Sequence, residues 1–314
     1  SMHGILKDTI EQLLLLVEFC RKAGIPYEVL AFTSNGFVDT AHRPRGLAGS
    51  LDRRLSDQVA EDAKLQMESQ FSVTENTLSP HPFHLLQFLT SKQTTKQHGE
   101  AVRNLFYLAC NGAYRCPRSF GLGSTPLNES ILSAMDIIPR FQKENGIEIV
   151  NAVFLTDGDG HHICPSKWSK GGQIFIQDPK SRKTYNMFQR DTDTLMSILK
   201  DRTGANTISI RLHNANNIKN LRYRYFSSGN WDSDNARYEK ACQSYKKEHF
   251  FDHTEPGCDL SLIVKGNLKL ETDPLGDLED DASNARIRNA FIKGGNRKKS
   301  SRVIANRLVN IIAK

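Results

Sequence analysis

In the stretch "NAVFLTDGDGHH" an apolar run ends at two carboxylates, Asp157 and Asp159, with Gly158 and Gly160 following them in turn. Two acidic groups in one short loop support three kinds of chemistry. They can offer oxygens to a hard divalent cation; magnesium takes six in a near-octahedral shell and keeps several waters. They can divide the tasks of nucleophile and general acid/base. Or they can shape a turn, since Asp and Gly both favour turns. A calcium loop of EF-hand type is excluded, because His161 stands where a further oxygen ligand belongs. His161, His162 and Cys164 lie close in sequence but lack the spacing of a zinc site.

A magnesium site at the end of a strand needs hydroxyls from neighbouring loops. Thr125, at the head of "TPLNESILSAMDIIPRFQKENG", is one candidate. One helix and one strand separate it from Asp157, so both return to the same edge of a sheet. Thr125 is also a good N-cap for the helix that follows, which would explain it without a metal. Pro126 suits the first turn of that helix, and Pro139 is expected to bend it or end its first section. Ser1 offers a third hydroxyl on the same edge, at the end of a leading strand that the chain is expected to lack.

The elements that must position these residues are legible in part. Apolar residues at 5, 6, 10, 13, 14, 17 and 20 predict a helix closed by Gly24. "PYEVLAFTS" and "IEIVNAVFLT" read as buried strands. The spacing of Phe83, Leu86, Leu89, Val102, Leu105 and Leu108 predicts helix over 82–112. "QIFIQDPKSRKTYNM" reads as a surface hairpin and "DTDTLMSILKDRTG" as a helix. "NTISIRLHN" and "CDLSLIVKG" read as strands, and "SSRVIANRLVNIIAK" as a final amphipathic helix. Strands alternating with helices predict an α/β fold of Rossmann-like type, with a mostly parallel central sheet covered on both faces. In such sheets the site lies at the carboxyl ends of the strands. A single domain is expected, with its core at about 1–36, 100–160, 190–213 and 257–314. Insertions are expected at about 37–99, 161–189 and 214–256.

Composition narrows the class further. The 314 residues are 38% hydrophobic and 25% charged, an ordinary globular balance. No apolar run approaches the ~20 residues of a membrane span. Six scattered cysteines without a CxxC pair argue against a zinc ribbon and fit a reducing cytoplasm, the expected location. The net charge is +7, concentrated after residue 285 and preceded by an acidic stretch from Glu271 to Asp281. Arg297, Lys298 and Lys299 form a basic knuckle able to contact nucleic-acid phosphates. No nucleic-acid-binding motif accompanies it, so an acidic protein partner is an equal reading.

"GSTPLNESI" followed by "VFLTDGDG" resembles the second and third loops of a von Willebrand factor A (vWA) domain, closest to the cobaltochelatase CobT type and its phage-borne relatives. The resemblance implies a magnesium-dependent adhesion site with Ser1, Thr125 and Asp157 as metal ligands. It implies a binding module rather than a catalyst. A client protein supplies a carboxylate to the metal, and a MoxR-type AAA+ ATPase is the working partner. The chain departs from the pattern in its first loop, whose aspartate and first serine are absent, which implies weak magnesium binding or none.

A second resemblance leads to a different class. An apolar run ending in Asp-x-Asp-Gly is similar to the first motif of haloacid-dehalogenase-type phosphatases. There Asp157 would be the nucleophile and Asp159 the general acid/base, with Asp277 and Asp281 of "GDLEDD" in the metal motif. His161 after the motif and the long stretch of chain before it depart from that family's pattern.

Overall fold

The structure is a computed structural model that describes residues 6–34, 77–111, 122, 125–163, 174–187, 190–213, 217–227 and 229–266. Ser1, Asp277, Asp281, the basic knuckle at 297–299 and the expected final helix lie outside the described residues.

Helix α1 spans Leu6–Lys22. Its apolar spacing buries Leu6, Ile10 and Val17. It ends where Gly24 adopts φ +66°, a left-handed conformation that glycine enters without steric cost. Strand β1, Glu28–Thr33, pairs antiparallel with β2, His84–Thr90, through a bulge between Val29 and Leu30. Helix α2 follows at Thr95–Asn111. α1, α2 and this strand pair share one core around Leu6, Ile10, Val17, Leu89, Leu105 and Leu108.

The expectation of helix over 82–112 is therefore half wrong. Leu86 and Leu89 fit a helical period, yet six residues here are drawn into a ladder with β1. Cross-strand packing outweighs local periodicity, and Leu89 ends fully buried.

Helix α3, Leu127–Asn145, buries Ile131, Met135 and Ile138 along one stripe. Pro139 does not end it: the proline faces solvent and the helix runs on to Gly146, at φ +62°. Strand β3, Asn151–Thr156, begins the principal sheet. After it come a short hairpin, β4 Phe175–Gln177 and β5 Thr184–Asn186, then helix α4 at Asp191–Thr203. Strand β6 is Asn206–His213. A 3-10 turn at Lys219–Leu221 leads into the short helix α5, Arg222–Tyr225, and helix α6, Trp231–Glu248. Strands β7, Phe250–His253, and β8, Leu260–Lys265, complete the described chain.

The principal sheet has the order β3-β6-β8-β7. β3, β6 and β8 run parallel, and β7 adds an antiparallel edge. The fold is thus mixed α/β with a mostly parallel open sheet. One face carries Ile208, Ile210, Leu212, Leu262 and Val264, with Leu16 of α1 against them. Ala152 and Phe154 join the core built by α3 and α4. Ile263 joins Tyr225, Phe226, Tyr245 and Phe251 beneath α5 and α6. Helices therefore cover both faces, as buried parallel strands require. β7 lies in a segment with no strand signal: "FFDH" is too short to show alternation, and its pairing with β8 holds it. Among the described residues no helix is long and apolar enough to cross a membrane.

Candidate functional site

Parallel strands put their carboxyl ends on one edge. Here Thr156 of β3 stands opposite Arg211 of β6 in the register. The loop 157–163 leaves from this edge and is braced from four directions. The Thr156 hydroxyl accepts from the Gly158 N–H (3.2 Å) and donates to the Gly158 carbonyl (3.2 Å), which tightens the first turn. Arg211 Nη1 donates to the same carbonyl at 2.9 Å. Asn128, buried in the first turn of α3, donates from Nδ2 to the His161 carbonyl at 2.6 Å and accepts from the Thr192 hydroxyl at 2.7 Å. Asp191 at the start of α4 accepts from the Ile163 N–H (2.9 Å) and contacts His162 Nδ1 (2.7 Å).

The two glycines let the loop lie this close. A Cβ at Gly158 would stand 2.7 Å from Thr125 Oγ1. A Cβ at Gly160 would stand 2.5 Å from Asn128 Oδ1. Neither glycine has a positive φ, so close approach alone, not backbone conformation, demands them. Of the three expected ligands, Thr125 lies against Gly158, the residue that follows Asp157. The third, Ser1, lies outside the described residues.

The two aspartates part company here. Asp159 Oδ1 pairs with Arg211 Nη1 at 2.8 Å and is also contacted by Arg224 Nη2. That carboxylate anchors the loop to β6 and α5. Asp157, half-buried, has no hydrogen-bond or ion-pair partner among the described residues. Thr125 behaves similarly. The residue capping α3 is Pro126, one position later than the sequence suggests, and no side chain makes a capping bond. The Thr125 carbonyl, not its hydroxyl, accepts from Leu127 N–H at 2.8 Å. The Thr125 hydroxyl thus makes no capping bond, and Asp157 sits in the turn after β3 with its carboxylate unpartnered among the described residues.

A charged cluster beside the loop was not foreseen. Arg190 Nε donates to Asp193 at 3.0 Å and its Nη1 lies 3.9 Å from Glu255. Glu255 also meets His253 Nε2 at 3.2 Å, with both side chains nearly fully buried. Burial pushes the Glu255 carboxyl up, but His253, Ser209 and Arg211 outweigh it and hold the group at about 2. Asp193 is shifted the other way, raised by burial against the opposing pull of Arg190. The guanidinium carbons of Arg190, Arg211 and Arg224 sit 5.6, 5.9 and 5.1 Å from the Tyr225 ring centre. One signal in the sequence pointed here: an arginine inside the apolar strand "ISIRLH" is rarely buried without a partner.

Of the expected metal ligands, Thr125 and Asp157 fall among the described residues. Two hard oxygens fit magnesium, which commonly takes one or two protein ligands and retains water. Among the described residues no group of three or more His, Cys, Asp or Glu side chains is placed for a metal. Comparison with protein-family profiles, curated proteins and solved structures matched none of them.

Proposed function

We propose that the chain is a protein-binding module of vWA type, closest to the CobT group, whose contact with its partner is assisted by magnesium. The observation that carries this reading is the pairing of Thr125 with the Asp157–Gly158 turn at the carboxyl edge of the sheet, both side chains uncommitted to other described groups. A threonine hydroxyl is neutral and a single aspartate carries one charge. Such a donor set leaves a divalent cation undercompensated, so a carboxylate from a client completes its shell. Thr125 and Asp157 orient the ion; the braced loop keeps them from collapsing onto each other. Ser1 is the third proposed ligand. The proposed working partner is a MoxR-type AAA+ ATPase, to which the module delivers the client. The basic residues Arg297, Lys298 and Lys299 serve an acidic face of that partner in this reading, and nucleic acid is the lesser alternative.

The test is binding of a purified MoxR-type ATPase to the full chain, by biolayer interferometry, with magnesium and then with EDTA. Magnesium-dependent binding that Asp157→Asn weakens about tenfold or more supports the reading, since a lost charge-assisted contact is worth that much. Binding indifferent to both changes contradicts it. The phosphatase alternative needs Asp159 to transfer protons, but this carboxylate is engaged by two guanidiniums. Turnover of p-nitrophenyl phosphate that Asp157→Asn abolishes would restore that alternative.

A further inference from the structure

We infer that the arginine cluster beside the loop is a second binding site, one that takes an oxygen of a small oxyanion, carboxylate or phosphate. A cavity of about 20 Å³ opens at the carboxyl edge of the sheet, bordered by Thr156, Thr192, Ser209, Arg190, Arg211 and Arg224. Glu255 and Asp193 stand on its wall. Arg211 is 7% exposed, and its buried Nε–H meets no acceptor among the described residues. The same holds for Arg224 Nε and for the hydroxyl of Tyr225, the ring the guanidiniums surround. A buried charged donor without an acceptor costs about 1–3 kcal/mol or more, so these groups call for one.

The donors say which kind of acceptor. Asp193 is engaged by Arg190, and Glu255 by His253, Arg211 and, at longer range, Arg190. At the other end, one carboxylate oxygen of Asp159 serves both Arg211 and Arg224. The three arginines and three carboxylates balance in formal charge, but the open N–H groups belong to guanidiniums, with which a charged acceptor makes the stronger hydrogen bond. Space for about one oxygen-sized group selects the tip of a small oxyanion and excludes a nucleotide or sugar. The site does not use Thr125 or Asp157, so it stands independently of the magnesium reading.

The experiment follows arginine Nε–H resonances of the ¹⁵N-labelled full chain in EDTA, titrated with sodium acetate or sodium phosphate at constant ionic strength. Saturable movement of the Arg211 and Arg224 signals is expected. Arg190→Gln and Arg224→Gln, both at partly exposed positions, should each weaken binding about tenfold while the backbone amide spectrum keeps its dispersion. Linear shifts alike for both salts and for chloride overturn the inference, as does saturable binding unchanged in both variants. An aspartate-rich peptide that competes with acetate, where its asparagine counterpart does not, identifies a partner's acidic side chain as the source. Binding of the free anions without peptide competition identifies a dissolved oxyanion instead.

Discussion

Replacing Gly158 by alanine tests the contact on which the candidate site depends. The added Cβ would meet Thr125 Oγ1 at 2.7 Å, well inside any real carbon–oxygen contact, while Thr125 Cβ and Cγ2 are both 3.5 Å away. Only the hydroxyl clashes. Relief requires the threonine to leave its rotamer or the loop to move against its four braces, and overpacking of this kind costs about 1–3 kcal/mol. In a Thr125→Ala background the clashing atom is gone and the remaining 3.5 Å contact is ordinary. Gly158 is not among the positive-φ glycines, so alanine carries no backbone penalty there. It should instead stabilise by about 0.4–1 kcal/mol by restricting the unfolded chain. Gly158→Ala is therefore expected to change sign: destabilising in the parent, neutral or stabilising beside Thr125→Ala. A double-mutant cycle by urea denaturation reads this directly, with an expected coupling above about 1 kcal/mol. Equal costs in the two backgrounds, within about 0.3 kcal/mol, would refute the placement of Thr125 against the loop.

Three further outcomes follow from the same structure. Gly160→Ala should cost more than Gly158→Ala, because its Cβ meets Asn128 Oδ1, Cγ and Nδ2 at 2.5, 2.6 and 2.9 Å and that amide is fixed at both ends; urea midpoints decide the order. Gly257→Ala should be harsher still, roughly 3 kcal/mol or more, since φ is +77° and the new Cβ would meet the α4 backbone at Ser197 N, 2.3 Å away. Glu255 is held near 2, below its ordinary 4.5, so its stabilising contribution is complete above pH 4.5 and is lost as pH falls toward 2. Acid unfolding of Glu255→Gln should accordingly show a weaker pH dependence between pH 4.5 and 2 than the parent.

Much of this was legible beforehand, for physical reasons. α1, α3, α4 and the three parallel strands announce themselves because each buries a stripe or a full face, which periodicity records. The closeness of Thr125 to the turn after β3 could be read because βα connectivity brings the strand end and the start of the preceding helix to one edge. β2 was misread because its leucines satisfy a helical spacing while its partner lies far away in sequence. The arginine cluster stayed hidden because its members come from Arg190, β6, α5 and the turn after β7, and no local spacing connects them. The division of labour within "DGDG" was hidden for the same reason: Asp157 and Asp159 differ only in what Arg211 and Arg224 do.

The most direct measurement uses manganese as a paramagnetic stand-in for magnesium in the ¹⁵N-labelled full chain. Substoichiometric manganese should selectively broaden the amides of Thr125, Asp157 and Gly158. Excess magnesium should restore them, and Thr125→Ala or Asp157→Asn should remove the effect. Uniform broadening, or broadening centred elsewhere and unchanged in both variants, would contradict a cation site at this edge and the binding mechanism built on it.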